Sequence, residues 1–189
     1  MYLKRNNELS VLTLYLGNYS NRFYLREISR LTKFPLKNTQ NILNNLEKNK
    51  ILKSTIHGKN KYFRLNLDNI LTKFYLLYAE VYRTMLFLEK YPQLKPFVKE
   101  LGPTVIIFGS FAKFSANKDS DLDLLVIEND KKLPFHLIPF EIHEIKMSKK
   151  TFLKALEKQE PLIKEIEDNH IILSNHPFYL EIMWEKYAK

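Results

Sequence analysis

Two apolar runs, Val105-Ile-Ile-Phe108 and Leu122-Asp-Leu-Leu-Val-Ile127, flank a turn that opens with Gly109-Ser110 and closes with Ser120-Asp121. No other stretch limits the fold so tightly. β-Branched and apolar residues at strand length predict two strands, joined by a short polar helix or loop. Gly109 lets the backbone turn sharply and approach a ligand. Ser110 can cap the segment that follows, whose free N–H groups would suit a phosphate. Asp121 and Asp123 stand two apart on a strand, so both side chains leave the same face. Carboxylates converging there repel one another unless a divalent cation lies between them, and Mg²⁺ bridging carboxylates and nucleotide phosphates meets that need.

The pattern Gly109-Ser110, Ala112-Lys113, then Ser120-Asp121-Leu122-Asp123 resembles the DNA polymerase β-like nucleotidyltransferase superfamily, most of all its minimal archaeal and bacterial members. The resemblance covers residues ~103 to ~148. It implies that Gly109 and Ser110 seat nucleotide phosphates, that Lys113 offsets their charge, and that Asp121 and Asp123 bind Mg²⁺ on a nucleoside triphosphate, with ATP the expected one. A third acid is expected on a neighbouring strand, read over residues 136–147. Glu141, His143 and Glu144 are its candidates; Glu141 is favoured, and a bulge would bring in Glu144 instead. The implied reaction transfers a nucleoside monophosphate to an acceptor hydroxyl by in-line displacement, with Asp121, Asp123 and Glu141 as the catalytic set. One residue departs from the pattern: Phe114 stands where many members have Gly. The second reading is a transcriptional regulator whose transferase-like domain is inactive and only senses nucleotide or acts as a scaffold. Small members often work beside a separate helical protein in toxin–antitoxin pairs, which makes such a partner a further implication.

Charge divides the chain. Residues 1–66 hold thirteen Lys or Arg against three acids, a balance of +10, and the remainder of the 189 residues is close to neutral. That asymmetry points to a polyanion-binding module joined to a neutral one. Helical spacing places apolar residues at Leu9, Leu12 and Leu16, again over residues 25–31, and again over residues 37–48, where Ile42, Leu43 and Leu46 face inward. Two strands, residues 51–56 and 61–65, follow around His57-Gly-Lys-Asn60. Three helices and a basic hairpin resemble a winged helix-turn-helix domain. In such folds the third helix enters the major groove of double-stranded DNA and the wing touches the backbone. Lys37, Asn38, Gln40, Asn41, Asn44, Lys48, Lys59 and Lys61 are then the DNA-binding candidates, amides for adenine edges and lysines for phosphates.

Residues 67–90 read as a long helix with two apolar stripes, one through Ile70, Phe74, Leu77, Val81 and Leu88, the other through Leu71, Tyr75, Tyr78, Tyr82 and Met85. Two stripes exceed what one domain covers, so a homodimer is expected, with a linker helix packed between the two domains of one chain as the alternative. The fold class is α/β (α+β): a winged helix over 1–66, linking helices over 67–102, and a nucleotidyltransferase-like mixed sheet with helices over 103–189. The absence of cysteine excludes disulfides, and the five histidines show no zinc-ligand spacing. With no leader or membrane-spanning run in the sequence, a cytoplasmic location is expected.

Overall fold

The computed structural model describes residues 6–128 and 132–188. It is a mixed α/β architecture with helices and two β-sheets. The chain divides into two compact units, Met1–Ala79 with Met183–Lys189, and Glu80–Ile182. The turn expected over residues 128–134 falls partly on residues 129–131, which lie outside the described residues.

In the first unit, α1 (Asn7–Leu12) starts where the Asn6 side chain accepts the Leu9 N–H at 3.1 Å, and continues as a 3-10 turn. α2 (Leu25–Thr32) opens with Glu27 reaching back to the Tyr24 N–H. It ends at Lys33, in the left-handed region at φ 58°. Pro35 then fixes the entry to α3 (Leu36–Lys48), which buries Thr39, Ile42, Leu43 and Leu46 on one face. The hairpin β2 (Leu52–His57) and β3 (Asn60–Leu65) closes through Gly58-Lys59. Gly58 has φ 59° at the first central position, as a two-residue turn matched to strand twist requires. A third strand, β1 (Arg22–Tyr24), pairs antiparallel with β3. No strand is read from the sequence here, because three residues carry no alternation to detect. Cross-strand aromatics hold it: Tyr24 meets Tyr62 edge-on at 5.8 Å and the Arg22 guanidinium lies 5.3 Å from the Tyr62 ring.

In the second unit, β4 (Thr104–Ile107), β5 (Leu122–Ile127), β6 (Ile142–Met147) and β7 (Ile171–Ser174) form a sheet in the order β6-β5-β4-β7. β5 and β6 run parallel; the other pairs are antiparallel. The strand expected over residues 136–147 begins only at Ile142, after a 3-10 turn at Phe135–Leu137. Pro139 lacks the N–H a ladder needs. Val105, Ile107, Leu122, Leu124 and Val126 join Phe97 and Phe111 in a buried cluster on one face. The second unit also holds α5 (Lys95–Lys99), α6 (Gly109–Ala112), α7 (Lys149–Glu157), α8 (Pro161–Asp168) and the first part of α9 (His176–Tyr187), whose residues from Met183 fall in the first unit. No helix among the described residues is long and apolar enough to cross a membrane.

α4 (Ile70–Lys90) is continuous, and neither stripe read from the sequence is the buried one. Thr72, Leu76, Ala79 and Phe87 are buried instead, and of the two stripes' aromatic residues Tyr82 alone is buried with them. Polar groups are buried beside them: the Thr84 hydroxyl donates to the Ile172 carbonyl at 2.6 Å and meets His176 Nε2 at 3.0 Å. A hydroxyl that donates its proton to a carbonyl accepts from the imidazole, so Nε2 carries hydrogen in this network. Burial pulls the His176 pKa below its ordinary 6.5, with the Glu80 charge opposing and the His170 charge assisting. A histidine depressed on folding makes the unfolded state bind more protons below pH 6.5, so the stability it contributes is lost as pH falls from there towards the folded value. Denaturant melts at pH 7.5 and 5.5 are expected to show that loss. A His176→Gln variant is expected to show a smaller difference between the two; an equal one would remove His176 as a source.

Candidate functional site

The β4–α6–β5 turn brings the motif together through one close contact. Gly109 sits at φ 66°, and a Cβ built there would lie 2.2 Å from Asp123 Oδ2. The antiparallel ladder causes this approach: Ile107 pairs with Leu124, and the next N–H, from Phe108, donates to the Asp123 carbonyl at 3.1 Å. Ser110 lies half-buried in α6, its carbonyl accepting the Ser115 N–H at 3.0 Å. Residues 117–120 close as a small loop, in which Asn117 Oδ1 takes the Asp119 N–H and Ser120 Oγ takes the Asn117 N–H, each at 2.9 Å.

Phe114 occupies the left-handed region at φ 58°. That geometry gives the glycine of the resembled pattern its physical reason, and a bulky residue there costs about 1–2 kcal/mol. The ring recovers part of this by packing edge-on to Phe87 at 6.1 Å. Lys90 holds the turn from α4, its Nζ 2.7 Å from the Phe114 carbonyl and 5.4 Å from the ring centre. Lys113 is engaged as well, in an ion pair with Glu165 at 2.7 Å.

The carboxylates do not converge as expected. Asp121 is exposed just before β5, and Asp123 is half-buried with His143 Nδ1 3.1 Å from its Oδ1. The parallel register pairs Asp123 with His143 and Leu124 with Glu144. Paired residues share a face, so Glu144 emerges on the side opposite Asp123, where it faces Lys146 at 3.5 Å. No bulge brings it across. Glu141 precedes the strand and is exposed; it is fixed through its backbone, whose carbonyl takes the Leu122 N–H at 2.8 Å. Among the described residues no group of three or more His, Cys, Asp or Glu is placed to hold a metal ion. The Mg²⁺-dependent transfer reaction expected from the sequence is therefore corrected: the three-carboxylate set it requires is not assembled. His143, not a third acid, is the neighbour of Asp123. Strand alternation put His143 on the right face, but only the register across two strands shows which residue lies opposite.

In the first unit, Lys37, Asn41, Asn44 and Lys48 form an exposed row along α3 at four-and-three spacing. Asn38 and Gln40 are half-buried at its edge, and Gln40 Nε2 donates to Asn44 Oδ1 at 2.8 Å. Lys59 stands at the exposed hairpin turn. Lys61 is exposed and pairs with Glu47 of α3 at 2.7 Å, and the Ser54 hydroxyl donates to the same carboxylate. Burial pushes the Glu47 carboxyl up, but the Lys61 and Ser54 hydrogen bonds outweigh it and hold it below its ordinary range. The hairpin is thus tied to α3 by a charged contact that sequence spacing did not reveal.

Residues 97–177 match the family model described as polymerase beta, nucleotidyltransferase. That segment carries the whole β4–α6–β5 turn and is less than half of the chain. A solved structure of TrmBL2, an archaeal chromatin protein that shows a novel mode of DNA binding, is similar over 85% of this chain and 69% of that one. Its identity is 15% and its TM-score 0.28. No curated protein sequence matches.

Proposed function

We propose that this chain is a DNA-binding regulator whose C-terminal unit keeps a nucleotidyltransferase-like turn without the transfer chemistry. The observation that carries the reading is the exposed row Lys37, Asn41, Asn44 and Lys48 on α3, beside a hairpin with Lys59 at its tip, in the segment that holds the chain's entire positive surplus. Three helices followed by a hairpin in a small sheet fit a winged helix-turn-helix: α3 lies in the major groove of duplex DNA and the hairpin meets phosphates. The expected partner is double-stranded DNA, with the amides of Asn38, Gln40, Asn41 and Asn44 nearest the base edges.

Fluorescence anisotropy with labelled duplex DNA across a salt series tests this. Lys59→Ala is expected to weaken binding on every sequence and to lower the salt slope by about 1, and adding Lys61→Ala by about 1 more. Lys99→Ala, an exposed lysine of the other unit, leaves both unchanged. A slope insensitive to Lys59 and Lys61 would remove the hairpin from the interface.

A second reading, nucleotide sensing, is favoured by the left-handed Gly109 turn beside Asp123. Calorimetric titration with Mg²⁺-ATP checks it: heat in the wild type that is lost in Asp121→Asn/Asp123→Asn assigns sensing, and no heat leaves the unit a scaffold.

A further inference from the structure

We propose that the face of the three-stranded sheet turned away from α3 borders a binding site for a small aromatic carboxylate, in which Arg64 and Lys53 hold the acid group and the rings of Tyr19 and Tyr187 flank the ring. All four residues belong to the first unit. The strand register builds the charged part. Arg22 of β1 pairs with Arg64 of β3, and Arg64 pairs in turn with Lys53 of β2. Directly paired residues send their side chains to one face, so three cations stand in a row across the sheet, where like charges repel. Leu52, Phe63 and Leu65 on the other face are buried, and Ser54 there donates to Glu47 of α3. The row therefore looks away from α3. One acid answers it: Asp68 Oδ2 lies 2.8 Å from Lys53 Nζ. The Lys53 hydrogen bond and charge, with the more distant Arg64 adding to them, hold the Asp68 carboxyl below its ordinary range. Arg22 lies over the Tyr62 ring. Arg64 is exposed and makes no hydrogen bond or ion pair among the described residues.

Beside the row is a cleft of about 270 Å³, whose lining includes Lys53, Arg64, Asp68, Leu67, Tyr19 and Tyr187. The two tyrosine rings lie 5.2 Å apart, tilted by 34°, and form its aromatic wall. Charge, shape and size choose the ligand. Lys53 and Arg64 against Asp68 leave one positive charge unanswered, which a carboxylate neutralises and a phosphate dianion overshoots. A guanidinium fork matches a carboxylate bidentately, and aromatic side chains take a planar ring by offset or edge contact. The cleft falls just below the ~300–1,000 Å³ of drug-sized pockets, which suits one ring with its acid group and is too small for a nucleotide. The site rests on strand register and a cleft, and does not depend on DNA binding by α3 or on the nucleotidyltransferase-like turn.

The test is titration of the isotope-labelled full chain with sodium benzoate, followed by amide chemical shifts. Saturable shifts are expected at Ser20, Arg64, Leu67 and Ala188, which all line the cleft. Arg64→Gln is expected to weaken benzoate at least about tenfold, the loss of a hydrogen bond to a charged group. Benzamide, the uncharged isostere, is expected to weaken by a similar factor in the wild type. Cyclohexanecarboxylate, charged but not planar, is expected to bind several-fold more weakly than benzoate, and Tyr187→Leu closes that gap. The spectra themselves show that each variant is folded. No saturable shift at these residues, or benzoate binding indifferent to Arg64→Gln, overturns the site. Inorganic phosphate that shifts the same amides as strongly as benzoate would reduce it to plain attraction by exposed cations, which also overturns it. Duplex DNA that shifts these amides and displaces benzoate would make the row a nucleic-acid surface instead.

Discussion

Replacing His170 by alanine is expected to cost the second unit about 3–5 kcal/mol, because it leaves a buried acid without its partner. His170 and Glu80 are fully enclosed, with side-chain exposures of 0% and 1%, and His170 Nε2 lies 3.0 Å from Glu80 Oε1. The other imidazole nitrogen, Nδ1, is 2.9 Å from the Ile166 carbonyl, an acceptor that obliges Nδ1 to carry hydrogen. One further proton is shared between Nε2 and Oε1. The Tyr179 ring lies 4.6 Å from the imidazole and encloses the pair. Glu80 Oε2 is buried with no hydrogen-bond partner among the described residues, so its charge has little to fall back on once the imidazole is gone. Arg83 meets Glu80 through charge alone: burial pulls its guanidinium below its ordinary range and the Glu80 charge opposes that, but Glu80 Oε2 keeps no hydrogen-bond partner among the described residues. The signature is non-additivity. A Glu80→Met/His170→Leu double variant, which removes both polar groups at similar volume, is expected to be more stable than His170→Leu or Glu80→Met alone. Urea unfolding of the four proteins measures it. A His170→Ala variant within about 1 kcal/mol of wild type would mean that no charge is held there.

This pair also marks what the sequence conceals. Glu80 and His170 are ninety residues apart, and neither sits in a pattern that announces a partner. Glu80 falls where helical reading of α4 expects solvent. The strands were legible where continuous apolar runs reach four residues: β4 and β5 lie where Val105 and Leu122 announce them. The starts of α7 and α8 carry local signals, Ser148 accepting the Thr151 N–H and Pro161 fixing φ, and both act within one turn. β1 was hidden by its length, and the late start of β6 by giving Pro139 too little weight. The α4 stripes show the limit of periodicity. A helix apolar on most sides offers several equally spaced rows, and only packing selects the row through Leu76, Ala79 and Phe87. At the candidate site, the spacing of Gly109, Ser110, Asp121 and Asp123 reflects one local turn, in which Gly109 and Asp123 make a close contact. Which residue of β6 stands beside Asp123 depends instead on the β5–β6 register.

Gly109→Ala is the second large effect, about 2–4 kcal/mol, and it separates two reasons for a motif to persist. The first part, about 1 kcal/mol, is backbone strain at φ 66° for a residue with a Cβ. The second, about 1–3 kcal/mol, is overlap: the new methyl would stand 2.2 Å from Asp123 Oδ2 and 3.1 Å from Cγ, inside what neighbours absorb without moving. Asp123→Ala removes both atoms and leaves only its Cβ at 3.5 Å, an ordinary contact. The double variant Gly109→Ala/Asp123→Ala is therefore expected to lose only the strain, and so to be more stable than Gly109→Ala. Gly102→Ala is the control, with nothing within 4 Å of its added methyl and no left-handed φ, and is expected to be near neutral. A thermal melt of each variant suffices, since a loss of 2 kcal/mol or more lowers Tm by about 8 °C or more in a unit of this size. Were Gly109→Ala as mild as Gly102→Ala, the Asp123 carboxylate would have swung aside at little cost, and the Gly–Asp pairing would be no packing requirement. If the rescue appears, the Gly–Asp pairing is a packing requirement of the antiparallel turn. Such a requirement would by itself keep the glycine and aspartate together, whether or not a third carboxylate joins them.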